Sequence, residues 1–112
     1  MIEKVAYDYL KDNAQAGVYM ERPEQKPASF YLIEKTGSRR TNQIETSTIA
    51  VQSYAPSLVE AAEMNEAVKE LMYELPYHSD EVSSVKLNSD YNFTNVADKQ
   101  YRYQAIFVVT HY

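Results

Sequence analysis

The sequence predicts an α+β domain in which one mostly antiparallel sheet of about four to five strands packs against two helices, in the order α-β-β-β-α-β-β. Two segments repeat apolar residues at the three-to-four spacing of a helix. The remaining apolar segments alternate with period two, as strands do. A chain of 112 residues can bury one core, which predicts a single domain over residues 1–112.

A first helix is predicted at the amino-terminal end. One side of about three helical turns would carry these apolar residues: Ile2, Val5, Ala6, Tyr9 and Leu10. The helix is expected to end before Gly17, and a short extended piece follows. Pro23 and Pro27 favour extended backbone in the residues that precede them. Residues 22–28 are therefore interpreted as an ordered arm or loop.

Two strands joined by a hairpin are predicted after the arm. The segment FYLIEK, which begins at Phe30, alternates between two faces, and a second strand runs roughly from Thr46 to Tyr54. The sequence Thr-Gly-Ser around Gly37 is typical of a turn. We therefore predict a long hairpin loop over residues 36–45.

A long second helix is the clearest element, in YAPSLVEAAEMNEAVKELMYELP. Ser57 and Glu60 have the spacing of a capping box, and Pro76 is expected to end the helix. One side carries the apolar residues expected to pack on the sheet: Leu58, Ala61, Met64, Val68, Leu71, Met72 and Leu75. The opposite side carries five acidic residues, named here the glutamate stripe: Glu60, Glu63, Glu66, Glu70 and Glu74.

The segments VSSVKL and YRYQAIFVVTHY are predicted as the last two strands, joined by a polar loop over residues 88–100. Loops of this length are usually functional or mobile. From Ala105 to Val109 both strand faces are apolar, which predicts a central strand covered on both sides. Tyr91 and Phe93 in the loop and Tyr112 at the chain end are predicted to contact another subunit or a partner.

Composition argues against several classes of function. A formal net charge of −5 argues against specific nucleic-acid binding, since that needs clustered Lys and Arg. The absence of cysteine leaves no disulfide, thiolate nucleophile or cysteine zinc site. The longest apolar stretch is far shorter than the ~20 residues of a membrane span, so a soluble chain made in the cytosol is expected.

Motifs for catalysis or metal binding are also missing. His78 lies close to Asp80 and Glu81, but such tight spacing in a polar loop favours an exposed histidine over a metal ligand. His111 is interpreted as a surface residue at a strand end rather than a general base. The glutamate stripe favours a solvated helix face over a carboxylate cluster for acid/base work. We therefore predict no catalytic residue, metal or cofactor, and no enzyme activity.

Arg39 and Arg40 lie side by side in the predicted hairpin loop. Two interpretations remain open. The pair either binds an acidic partner surface through bidentate hydrogen bonds, or only keeps the loop soluble. Nucleic-acid contact through these two residues is a distant third, because the chain as a whole is acidic.

Four stretches in a fixed order carry a family resemblance: ERPEQKPASFYLIEKTGSRR, IAVQSYAPSLVEAAEMNEAV, YNFTN and YRYQAIFVVT. Together they run from Glu21 to Thr110, and they resemble the tail terminator, or tail-to-head joining, proteins of long-tailed bacteriophages and prophages. Many relatives have Gly-Gly where this chain has Gly37-Ser38, a departure that bears on the turn type and not on the family. The resemblance implies an α/β fold and a structural, non-enzymatic protein. It further implies rings, typically hexamers, that cap the tail tube, end its polymerisation and present a surface to the head connector.

The resemblance also implies partners and a location. The partners would be further copies of the chain in the ring, the major tail tube protein and a head-tail connector protein. The protein would reside at the head-proximal end of the virion tail, after assembly in the bacterial cytoplasm. Two alternatives are a head-completion or stopper ring protein of the connector, and a small binding protein with no virion role.

Ring assembly would give the candidate residues separate roles. The stretch from Tyr91 to Phe93 and the end of the last strand would supply one patch of a heterologous interface. The Arg39–Arg40 hairpin would meet the tail tube or an adjacent subunit. The glutamate stripe would face either the ring lumen, where it lets DNA pass without sticking, or outward solvent. The sequence leaves both placements open.

Overall fold

The predicted α+β fold and its element order are confirmed by the structure, a computed structural model that describes residues 1–25, 27–94 and 100–112. The elements are α1 (Ile2–Asn13), β1 (Gly17–Tyr19), β2 (Phe30–Thr41), β3 (Ile44–Ala55), α2 (Leu58–His78), β4 (Val82–Asn92) and β5 (Tyr101–His111). The strands form one sheet in the order β1-β2-β3-β5-β4. β1 pairs in parallel with β2, and the other pairings are antiparallel.

Both helices pack on the same face of the sheet, and the hydrophobic core lies between them and the strands. α1 buries Ile2, Ala6 and Leu10, which confirms the predicted side of that helix. The largest core side chains with almost no exposed surface are Leu10, Ile33, Ile49, Val51, Val68, Met72, Leu75, Phe107 and Val109. The sheet face that carries no helix is named here the open face.

The ends of α2 differ in part from the prediction. Ser57 Oγ accepts a hydrogen bond of 3.2 Å from the backbone N–H of Glu60, which is one half of the predicted capping box. The Glu60 carboxylate instead accepts a hydrogen bond of 3.0 Å from the Ser29 hydroxyl. The prediction that Pro76 ends the helix was wrong, because α2 continues to His78. A proline so near the last turn removes only one intrahelical hydrogen bond.

The buried side of α2 includes a polar residue that periodicity did not predict. Its buried residues are Ala61, Asn65, Val68, Met72 and Leu75, while Leu58 is exposed and Met64 and Leu71 lie at the core margin. Asn65 Nδ2 donates a hydrogen bond of 3.0 Å to Asp90 on β4. Lys69 binds the same carboxylate at 2.9 Å and Glu66 at 2.8 Å. The hydrogen bonds to Glu66 and Asp90 raise the pKa of Lys69. The two contacts with Asp90 tie the helix to the sheet edge.

The β2–β3 hairpin is tighter than predicted, and the 36–45 loop prediction was wrong. β2 continues to Thr41, and only Asn42 and Gln43 lie between the strands. Both have positive φ, 50° and 68°, as a two-residue type I′ turn requires. Gly37 lies within β2 at a shift in pairing register. The glycine therefore marks a bulge rather than the turn.

The last two strands differ from the prediction in two further respects. β4 extends to Asn92, so the first five positions of the predicted 88–100 loop are strand, while residues 95–99 lie outside the described residues. β5 is central, between β3 and β4. Its Ile106 and Val108 are nevertheless half-buried on the open face, because both helices lie on the other face. The prediction that this strand is covered on both sides was wrong.

The predicted arm agrees with the structure where it is described. Residues 22–25 and 27–28 form neither helix nor strand, and Lys26 lies outside the described residues. Among the residues that the structure describes, no helix has the length and apolar character that a membrane crossing needs.

Candidate protein interface

A chain of hydrogen bonds crosses the open face near the end of the sheet where β2 begins. Tyr54 Oη donates to Gln52 Oε1 at 2.6 Å, and Gln52 Nε2 donates to Gln104 Oε1 at 2.9 Å. Gln104 Nε2 in turn donates to Tyr91 Oη. The strand register places Gln52 and Tyr91 each opposite Gln104. Three strands therefore contribute to one polar network, which becomes exposed at Tyr91.

Two arginines border this network at Tyr54. Arg22 Nη2 and Arg102 Nη1 donate to Tyr54 Oη at 3.2 and 3.5 Å. Their guanidinium carbons lie 5.6 and 5.9 Å from the centre of the Tyr54 ring, within the range of a cation–π contact. In the described part of the chain, neither guanidinium forms an ion pair with a carboxylate. This end of the open face is therefore locally positive on an acidic chain.

Tyr91 and Phe93 form the outer edge of the same surface. Their ring centroids are 6.0 Å apart and nearly perpendicular. The Arg102 guanidinium lies 4.3 Å from the Phe93 ring centroid, and its Nε donates to the Phe93 carbonyl. Tyr91 belongs to β4, so its predicted position in a loop was wrong, whereas Phe93 lies just beyond the end of that strand, within the part of the predicted loop that is not strand. Both rings are thus positioned by contacts already present in the single chain. Together with the polar network, these residues are named here the Tyr54 cluster: Arg22, Gln52, Tyr54, Tyr91, Phe93, Arg102 and Gln104.

A Tyr54→Phe variant is expected to lose about 1–3 kcal/mol of unfolding free energy. The change removes the hydroxyl that donates to Gln52 and accepts from both arginines, while the ring that stacks on Phe30 remains. Urea unfolding would measure the loss. Tyr77→Phe on exposed α2 surface is the matched control and should change the stability by less than about 0.5 kcal/mol. Equal stability of the two variants would contradict the role given to Tyr54.

The other predicted interface residues lie at the opposite end of the sheet. Tyr112 is 73% exposed, and its backbone N–H donates to the Glu81 carbonyl at 3.0 Å. Arg39 and Arg40 are exposed on β2 just before the hairpin turn. The structure therefore does not bring these three residues together with Tyr91 and Phe93. The predicted interface residues form two separate surfaces.

The glutamate stripe is exposed and borders a groove. The groove has a volume of about 420 Å³ and is named here the α2 groove. Its acidic rim comprises Glu60, Glu63, Glu70 and Glu74, and its less polar wall comprises Ala14, Ala16, Tyr31, Met64, Ala67 and Leu71. Tyr31 donates to the Met64 carbonyl at 3.0 Å, and burial raises the pKa of its hydroxyl to about 12. The fifth stripe residue, Glu66, is engaged by Lys69 instead.

His111 is buried, so its predicted position on the surface was wrong. It is 6% exposed because β5 remains flanked by β3 and β4 up to its last residue. Its Nε2 lies 2.8 Å from Ser47 Oγ and 3.8 Å from Glu45 Oε2. A catalytic triad places its carboxylate at the other ring nitrogen, which here faces the Tyr112 carbonyl at 3.3 Å. Ser47 is also fully buried, so this group has a packing role.

His78 is exposed, as predicted, but it is the last residue of α2 rather than part of a polar loop, and its ring lies 5.2 Å from that of Tyr9. Over residues 1–25, 27–94 and 100–112, no group of three or more metal-ligating side chains is placed to hold an ion. Asp80 and Glu81 are also exposed.

A scan against protein-family models gave no match for this chain, and a search of curated proteins gave none either. The resemblance to tail terminator proteins therefore remains a prediction that rests on the sequence.

Sequence reasoning missed the polar half of the Tyr54 cluster. Gln52 and Tyr54 are two residues apart and so share a strand face, and Gln104 directly precedes the apolar run of β5 that begins at Ala105. Polar side chains within such strands indicate a network, because buried polar groups require hydrogen-bond partners. The partners themselves depend on the register between strands, which the local pattern does not contain.

Proposed function

We propose that this chain is a structural virion protein that forms a ring on the head-proximal end of a phage tail tube. The ring ends tail polymerisation and provides the surface to which the head attaches. The resemblance of the sequence to tail terminator proteins supports the proposed position at the head-proximal end of the tail. The Tyr54 cluster is the single observation that supports assembly, since it presents ordered aromatic and arginine side chains on a sheet face without a helix.

The chemistry of the Tyr54 cluster suits contact with another protein. Tyrosine, phenylalanine and arginine are enriched where protein surfaces meet. Tyr91 and Phe93 are already packed against each other, and Arg102 packs on Phe93, so binding would immobilise few additional side chains. Half-buried Ile106 and Val108 extend the same face along β5 with further apolar area. A partner covering this face would bury both the rings and these aliphatic residues.

The separation of the candidate surfaces supports a ring over a two-fold dimer. Tyr91 and Phe93 lie where β2 begins, whereas Arg39, Arg40 and Tyr112 lie near the hairpin turn. A rotationally closed ring joins two different patches of each subunit. Two distinct patches at opposite ends of an elongated chain, 45 × 24 × 24 Å, meet this requirement.

Polymerisation of the tail-tube protein from the same genome tests the proposal. Electron microscopy would measure tube length with and without this chain. Tubes that stop growing at a capped end are the expected result. Unchanged tube length, with no binding of the chain to tubes, would contradict the proposal. Binding to a head-side connector protein instead of the tube would favour the head-completion or stopper alternative, and binding to neither would favour a small binding protein.

A further inference from the structure

We propose that the hairpin tip of one subunit, residues 39–44, docks in the α2 groove of the next subunit. This inference rests on the proposed function, because it names a contact that joins the subunits of the ring. It also assigns the glutamate stripe to a subunit contact rather than to the ring lumen or outward solvent.

The α2 groove has the character of a receptor for a basic segment. Glu63, Glu70 and Glu74 line it and form no ion pair with a basic side chain in the described part of the chain. Beside them lies less polar surface from Ala67 and Leu71. Like charges along one rim repel each other, and an incoming cation would relieve that repulsion. The groove thus combines unneutralised negative charge with apolar surface for contact.

The hairpin tip has the complementary character. Arg39 and Arg40 are both exposed, and no ion pair to either arginine is present among the described residues. Glu45, which is paired across the strands with Arg40, lies 3.8 Å from His111 instead. Ile44 adds an apolar side chain that is 44% exposed. Successive strand residues face opposite sides, so the tip presents one arginine on each face.

A second copy is a better occupant of the groove than the hairpin of the same chain. The groove is lined in part by Asn13 to Ala16, which come just before β1, and β1 pairs with the start of β2. Arg39 is nine residues further along β2 than Phe30, about 30 Å for an extended strand. Pairing with β3 up to the turn holds the tip in that direction. A contact between two different surfaces of the chain is heterologous, as a closed ring requires.

Charge reversal in two separate variants tests this contact. The first variant is Arg39→Glu with Arg40→Glu, and the second is Glu63→Arg with Glu70→Arg. Each alone places like charges at every contact, so the association constant at low salt should fall about tenfold or more. In a ring in which the two variants alternate, every contact again joins opposite charges. Association of the mixture should therefore recover. Sedimentation velocity would measure all three samples, with unfolding curves to verify that each variant folds.

The control is Lys4→Glu with Lys11→Glu, which changes the net charge as the hairpin variant does but at exposed positions of α1 outside the tip and groove. It should associate as the wild type does. Wild-type association of both charge-reversed variants would overturn the hairpin contact and leave the ring proposal standing. Loss of association that mixing does not restore would also overturn it. If mixing restores association but the wild-type chain has no effect on tube length, the hairpin contact is supported and the terminator function is contradicted.

Discussion

A Phe107→Ala variant is expected to lose about 3–5 kcal/mol of unfolding free energy, the largest stability effect of a single substitution that we predict. Phe107 has no exposed surface and lies at the centre of β5, on the face covered by the helices. Its ring also meets Tyr73 of α2 edge-on, with centroids 6.4 Å apart. Alanine would leave a cavity between sheet and helix, which the surrounding core can fill only in part. A loss of this size is a large fraction of the ~5–15 kcal/mol that stabilises a typical domain.

Ile106→Ala is the matched control for this prediction. Ile106 is the neighbouring residue of β5, but its side chain is half-buried on the open face. We expect a loss of about 1 kcal/mol of unfolding free energy, because a half-buried side chain buries less apolar area than a core side chain does. Urea unfolding in dilute solution, where subunit contacts are absent, would compare the two variants. Similar losses for both would contradict the assignment of the two sheet faces.

A variant with Tyr91→Ser and Phe93→Ser is expected to fold but to lose most of its self-association. Tyr91 is 41% exposed, and both rings lie at the edge of the open face rather than in the core. Truncating an interface hot spot typically costs ~2 kcal/mol or more, about thirtyfold in the binding constant. Light scattering should therefore show a shift from ring-sized toward monomer-sized particles at a given concentration.

Two controls distinguish the loss of a subunit contact from a general effect of changing surface residues. Tyr77→Ser removes a tyrosine that is 86% exposed on α2, away from the Tyr54 cluster, and should leave the particle mass unchanged. Tyr91→Phe keeps the ring and removes only the hydroxyl that accepts from Gln104. It should retain most of the association. If the double serine variant assembles as the wild type does, the cluster is not a subunit contact.

The elements of this fold could be predicted from local patterns, but the turns could not. Periodicity located both helices and the strands, since burial of one face imposes it. The hairpin turn is not where Thr-Gly-Ser predicts it, because Gly37 lies at a bulge within β2. The structure instead uses Asn42 and Gln43 in the left-handed region, where asparagine is well tolerated and glutamine is uncommon. Local composition did not distinguish a bulge glycine from a turn glycine.

The candidate interface was predictable only where it is exposed. The local pattern identifies Tyr91 and Phe93, because they are aromatic residues in a polar segment. It does not identify Gln52 and Gln104, because their hydrogen bond requires β3 and β5 to pair in one particular register. His111 shows the same limit, since position near the chain end predicted exposure and the neighbouring strands buried it. Contacts between distant parts of the sequence are absent from the local pattern.

The most direct test of the ring is the particle mass of the wild-type chain over a concentration series, alone and with polymerising tail-tube protein. The proposed function predicts a discrete ring-sized species, about six times the mass of one chain if the ring is a hexamer, that forms in solution or at the tube end. A chain that remains monomeric at every concentration, and also in the presence of tubes, would contradict the proposed ring.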